Sequence, residues 1–168
     1  MAARLWKFEL DKAYPHLMTT PHLLGIDHVV LRIADLERAR GFYCGVLGCT
    51  VELFQEKLGL LQLRAGSALI DLVPIDGELG RMGGAPPGRE GRNMDHFCLQ
   101  VEPFDAPALQ AHLRAHGIDP GEVKQRNGAK GYGPSIYISD PDGNTVELKG
   151  PADRPAAAPV KEKPRNKE

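Results

Sequence analysis

The 168-residue sequence has no excess of charge, no long apolar run and no paired cysteines, and each absence removes a class of function. Its 21 Lys and Arg stand against 22 Asp and Glu, a formal net charge of −1. That leaves no basic footprint of the kind selected by nucleic acid or an acidic membrane surface. No stretch approaches the roughly 20 apolar residues needed to span a bilayer. The opening MAARLWKFELDKAYPHLMTT lacks an apolar run followed by a small-residue cleavage site, so it does not read as a secretory signal. Cys44, Cys49 and Cys98 are odd in number and include no C-x-x-C, and a reduced, cytoplasmic protein is expected. What is present is 42% hydrophobic residues, enough for a packed core.

The pattern of elements runs twice along the chain. After an extension over residues 1–24, GIDHVVLRI reads as a strand. Asp35 stands at an N-cap position with Glu37 in the first turn, and Leu36, Ala39, Phe42, Tyr43, Val46 and Leu47 recur at helical spacing up to Gly48. TVELFQE, GLLQLRAG and SALIDLVPI follow as short strands. A Gly/Pro/Arg-rich stretch, residues 77–92, reads as a linker loop. Then NMDHFCLQV predicts a strand, and FDAPALQAHLRAHG a helix capped by Asp105 with Pro107 in its first turn. GEVKQRNGAKGYG holds a short strand and a glycine-rich loop, and PSIYISD and NTVELKG form a hairpin. Residues 151–168, rich in Pro, Ala and charge, are expected to be disordered. The expected organisation is a domain over 25–150, with one module at 25–76 and a second at 93–150. The class is α+β: two βαβββ modules with sheets packed against helices.

Chemistry-bearing residues respect this duplication. Asp27-His28 and Asp95-His96 open the two modules, 68 positions apart; Asp71 and Glu147 sit in their closing strands, 76 apart. Alternation puts His28 on one strand face with Val30 and Arg32, His96 with Cys98 and Gln100, and Glu147 with Thr145 and Lys149. Two imidazoles and one or two carboxylates suit a borderline divalent ion, with Zn, Ni, Fe, Co and Mn all compatible. If the modules pair about a pseudo-twofold axis, the four side chains converge in one concavity.

Taken singly, a strand histidine is more often a hydrogen-bonded structural residue, and a strand carboxylate is usually solvated. Recurrence at matching positions favours the ligand reading for the set. His16, His22, His112 and His116 show no such correspondence, and the last two fit a solvated helix face. Cys98 reads as a buried, inert thiol, with a nucleophile or ligand as the alternative. Arg32 is either an anion clamp or a rim residue, and Lys130 in NGAKGYGP lies either over an anionic substrate or on a surface loop.

IDHVVLRIADLERARGFYCGVLGC, SALIDLVP, MDHFCLQVE and SDPDGNTVELKG together resemble the vicinal oxygen chelate superfamily, which includes glyoxalase I, extradiol dioxygenases, fosfomycin-resistance thiol transferases and bleomycin-resistance proteins. The resemblance implies a cupped mixed sheet around a divalent metal, with helices outside. It makes His28, His96 and Glu147 the metal ligands, puts Asp71 where glyoxalase I has a glutamate, and matches Arg32 to a glutathione-contacting arginine. Asp71 is one methylene shorter than that glutamate. The segment from Thr50 to Gly66 lacks much of the glutathione-contacting sequence, and RNGAKGYGPSIYISDPDGN is similar to the glyoxalase domain-containing protein 5 type.

The implied activity is that of a metal-dependent, lactoylglutathione lyase-like enzyme acting on vicinal oxygens. Glu147 would shuttle a proton between adjacent carbons, with Asp71 as ligand or opposing acid/base. Arg32, Lys130, Cys98 and Gln100 would face the substrate, with glutathione or another thiol as a possible cosubstrate. The alternatives are an Fe(II) ring-cleaving dioxygenase, a thiol transferase, and a non-catalytic binding protein of the bleomycin-resistance kind. The expected partners are a small molecule and a second copy of the chain, without nucleic acid or membrane.

Overall fold

The computed structural model describes residues 23–88 and 90–155. His16, His22, most of the 1–24 extension and residues 156–168 lie outside them. The first module begins with strand β1 (His28–Ile33) and helix α1 (Leu36–Arg40), which continues as a π-helical stretch over Gly41–Val46. Strands β2 (Thr50–Gln55), β3 (Leu60–Ala65) and β4 (Ala68–Pro74) complete it. A short helix α2 (Glu78–Met82) leads to the second module: β5 (His96–Gln100), α3 (Ala106–Ala115), β6 (Lys124–Arg126), β7 (Gly133–Ser139) and β8 (Thr145–Lys149).

Both modules have one topology. The strand orders are β1-β4-β3-β2 and β5-β8-β7-β6, with the outer pair parallel and the others antiparallel. The two βαβββ units of the expected α+β fold are therefore present as two separately hydrogen-bonded, four-stranded mixed sheets. Among the described residues no helix is long and apolar enough to cross a membrane.

Local chemistry sets the helix starts. The Asp35 carboxylate accepts from the Arg38 N–H at 2.9 Å and Asp105 accepts from Ala108 N–H at 3.1 Å, each satisfying an orphan donor of the first turn. The single helix expected over Leu36–Leu47 instead widens after Gly41. The wider turn lets the consecutive Phe42 and Tyr43 both enter the core, with rings edge to face at 5.0 Å. The 77–92 stretch, expected as loop, contains α2. Gly80 makes this possible, because a Cβ there would collide with the backbone of Pro74 and Ile75. The start of the expected tail is also fixed: Tyr132 and Arg154 form an isolated bridge, and Gln125 donates to Asp153 at 2.9 Å.

The core lies on one side of each sheet. Leu31, Ile33, Leu63, Ile70 and Leu72 from the first sheet join Ile136, Ile138, Val146 and Leu148 from the second in one cluster with Ala39, Phe42, Tyr43 and Leu113. Polar contacts lock the modules together. Tyr43 donates to Asp140 at 2.7 Å in a buried site, the Ala34 N–H donates to Asp142 at 2.8 Å, and His112 Nε2 donates to the Val46 carbonyl at 2.9 Å. His112 and His116 are exposed on the helix face, as expected, with their rings 4.4 Å apart. The opposite face of each sheet carries polar and titratable side chains, among them Asp71 on the first and Glu147 and Lys149 on the second.

Candidate metal centre

On that open face each module carries a histidine and a carboxylate in one register. In the parallel pair β1/β4, Val30 lies opposite Asp71, so His28 is its diagonal neighbour on the same face. In β5/β8, Cys98 lies opposite Glu147, and His96 takes the equivalent diagonal place. Two residues of strand pitch separate histidine from carboxylate in both, which is why the sequence repeat translates into a spatial one.

Each imidazole is held from behind by its preceding aspartate. Asp27 Oδ1 lies 2.8 Å from His28 Nδ1, and Asp95 Oδ2 lies 2.7 Å from His96 Nδ1. A carboxylate on Nδ1 fixes the tautomer with the lone pair on Nε2, the arrangement that makes a histidine a good metal ligand. Both aspartates are more than nine-tenths exposed, so water screens their charge and their main effect is on ring orientation. The Asp27 hydrogen bond raises the His28 pKa above its usual value, desolvation opposes it, and the charges of Asp71 and Asp27 add to it. The Asp-His dipeptides were visible in the sequence; the use of each aspartate was not.

The carboxylates differ in what surrounds them. Glu147 is buried, its Oε2 lies 3.3 Å from His96 Nε2, and its Oε1 has no hydrogen-bond partner among the described residues. A buried carboxylate oxygen without a donor is costly, and a cation bound there would complement it. Asp71 is equally buried, but both of its oxygens accept from the Gln62 amide, at 3.2 and 3.0 Å. The β7 residue matching Gln62 in register is Tyr137, whose ring packs against His96 at 5.1 Å under the Arg126 guanidinium at 4.1 Å. Gln62, Tyr137 and Arg126 carried no motif that could have singled them out.

The structure brings the four candidate ligands together as two pairs rather than one quartet. Among the described residues no three of His, Cys, Asp and Glu lie close enough to hold one ion. A cavity of about 890 Å³ opens beside His96 and Glu147, lined by Cys98, Gln100, Lys130 and Lys149, and neither His28 nor Asp71 reaches it. Within one chain the candidate ligands therefore stand as two separate pairs, His28 with Asp71 and His96 with Glu147. The modules share one core and are joined by the Tyr43–Asp140 and His112–Val46 hydrogen bonds.

Two other expectations change. Arg32 shares the His28 face, but its guanidinium donates to the carbonyls of Gly83 and Ala85, both at 3.0 Å, and of Gly84 at 2.7 Å, stapling the connection after α2. It serves as backbone clamp, because a turn of successive carbonyls offers the fork better acceptors than water. Cys98 is exposed rather than buried, and its thiol is pushed up to about 11 by partial desolvation first and then by the nearby charge of Glu147. It is a poor nucleophile at neutral pH. Gln100 and Lys130 are exposed at the cavity.

A family model for the Glyoxalase/Bleomycin resistance protein/Dioxygenase superfamily matches residues 25–148. The chain belongs to this superfamily. It is 36% identical over 126 residues to a glyoxalase domain-containing protein of Mycosarcoma maydis, covering 73% of this chain and 66% of that one. It is 32% identical over 124 residues to a virulence protein of Salmonella typhimurium, covering 73% of this chain and 81% of that one. A crystal structure of the Salmonella protein superposes with a TM-score of 0.62, covering 79% of this chain and all of that one. The superfamily's activities diverge even among relatives of similar distance. A lactoylglutathione lyase of Arabidopsis thaliana is 32% identical over 76% of this chain and 45% of its own length. A catechol-2,3-dioxygenase of Bacillus subtilis is 29% identical over 77% and 42%. A mitochondrial methylmalonyl-CoA epimerase of Bos taurus is also similar, at 28%.

Proposed function

We propose that the protein is a divalent-metal-dependent lyase or isomerase that moves a proton between adjacent carbons of a small substrate bearing vicinal oxygens. The observation that carries this reading is Glu147: a buried carboxylate with one oxygen against His96 and the other without a donor, facing a cavity of substrate size. Nε2 of His28 and His96, with carboxylate oxygens of Glu147 and Asp71, would hold the ion. A metal bound there supplies Lewis-acid stabilisation of the negative charge that builds on the substrate oxygens.

The chain's own residues do the rest. A Glu147 oxygen not engaged by the ion takes the proton from one carbon and returns it to the next, and its burial keeps that proton from exchanging with bulk water. Asp95 and the Tyr137 ring fix the plane of His96. Gln62 anchors Asp71, which makes Glu147 the mobile member of the carboxylate pair.

Because each chain offers two half-sites, a complete site joins His28 and Asp71 of one copy to His96 and Glu147 of another. Closure within one chain would break the buried Tyr43–Asp140 bond and divide the core, so a homodimer is the less costly route. A ring-cleaving dioxygenase is the second reading, favoured by two histidines with one carboxylate and by the similarity to the Bacillus enzyme. Metal identification followed by a screen separates the two. Hemithioacetal turnover that is lost in Glu147→Gln supports the first, whereas catechol-dependent oxygen uptake overturns it.

A further inference from the structure

Lys149 stands out among the groups that the proposed proton transfer does not use. It lies two residues beyond Glu147 on the same face of β8, is 6% exposed, and forms no ion pair among the described residues. Its Nζ donates to the carbonyls of Arg126 at 2.5 Å and Gly133 at 3.1 Å, which leaves one N–H of the ammonium uncommitted. Its hydrogen-bond partners are neutral carbonyls, and the carboxylate on its face, Glu147, has its Oε2 against His96 rather than paired with the ammonium, so the lost hydration is only partly offset. Its side chain lines the cavity beside His96 and Glu147. Glu102 also lines that cavity, but it is exposed and is not paired with Lys149.

The loop above Lys149 brings a second cation to the same cavity. Gly128 and Gly131 exchange backbone hydrogen bonds at 3.0 Å in both directions, forming a tight turn with Lys130 inside it. Gly128 rests directly on the Lys149 stem: an added Cβ would lie 2.7 Å from its Cε. The glycine thus sets the loop height, and Lys130 faces the cavity with an exposed head.

We propose that Lys149 and Lys130 form an oxyanion subsite, and that the substrate is a small acid whose carboxylate or phosphate seats on the Lys149 ammonium while its vicinal oxygens face His96 and Glu147. This rests on the reading of His96 and Glu147 as the reaction site. Lys149 lines the same cavity as His96 and Glu147, so one small substrate spans the ammonium and the reaction site. Arg32, committed to the carbonyls after α2, is not part of this grip.

The test is calorimetric titration of the full-length protein with inorganic phosphate and with succinate, neither of which offers vicinal oxygens to a metal. Wild type is measured before and after stripping with a chelator, beside Lys149→Met, Lys149→Arg and Lys130→Gln. Binding is expected in both metal states, weakened at least about tenfold by Lys149→Met, within about threefold of wild type in Lys149→Arg, and a few-fold weaker in Lys130→Gln. The tighter of the two probes identifies the head group. Unchanged affinity in Lys149→Met, binding that disappears on stripping, or no binding in wild type overturns the proposal. If Lys149→Met does not fold, unchanged affinity in the surface variant Lys130→Gln overturns it. The titration of stripped protein needs no metal, so its outcome is independent of whether the metal reading holds.

Discussion

Combining two damaged chains should restore metal binding that neither chain has alone. In a dimer whose sites each join the two half-sites of different copies, His28→Ala damages the first half-site and Glu147→Ala the second. A heterodimer of the two variants then has one site with both defects and one with neither. Random reassociation makes half of the dimers heterodimers, so metal bound per chain recovers to about one quarter of wild type. The two variants are refolded together, separated from excess metal by gel filtration, and measured by elemental analysis. Each variant refolded alone supplies the baseline. Recovery near one quarter is expected because, among the described residues of one chain, no three of the candidate ligands lie close enough to hold an ion. Recovery no greater than the baseline, with both variants still dimeric, would refute the reasoning and place the whole site within one chain.

Three further outcomes follow from individual contacts. Tyr43→Phe removes the donor to Asp140 while Asp142 and Asn144 continue to satisfy that carboxylate, so urea denaturation should show a loss of about 1–2 kcal/mol; an unchanged midpoint counts against the inter-module lock. Gln62→Leu leaves the buried Asp71 without a donor and should cost about 1–3 kcal/mol, part of it recovered on adding divalent metal. Loss of the same size with no recovery would remove Asp71 from the ligand set. Cys98, raised to about 11, exposes its thiolate only as pH climbs through that value, so at pH 7.5 its alkylation should run about a hundredfold slower than an ordinary cysteine's. Glu147→Gln should speed it, and rates already at half-maximum near pH 9 would show that the thiol is not perturbed.

The parts of the fold that were legible are those set by short-range rules. Strand alternation alone put His28, His96 and Glu147 on the faces opposite Leu31, Leu99 and Leu148, and Asp35 and Asp105 marked the helix starts that they cap. The duplication gave the equivalence of the two half-sites. What escaped was what depends on packing between modules. Nothing in DPDGN says that Asp140 will take the Tyr43 hydroxyl and so tie the second module to the first. The partners of Arg32 are backbone carbonyls, which have no sequence signature. Lys149 was seen on the right face, but its burial is created by a glycine turn more than fifteen residues away.

The central claim is that His96 and Glu147 form the heart of a metal site, and elemental analysis of the full-length protein tests it most directly. Wild type, His96→Ala and Glu147→Ala are purified without added metal, dialysed, and measured per chain. About one divalent ion per chain is expected in wild type, falling to background in both variants while their folds persist by circular dichroism. Stoichiometric metal retained in both variants, or none taken up by wild type when Zn, Ni, Fe, Co and Mn are offered in turn, would contradict it.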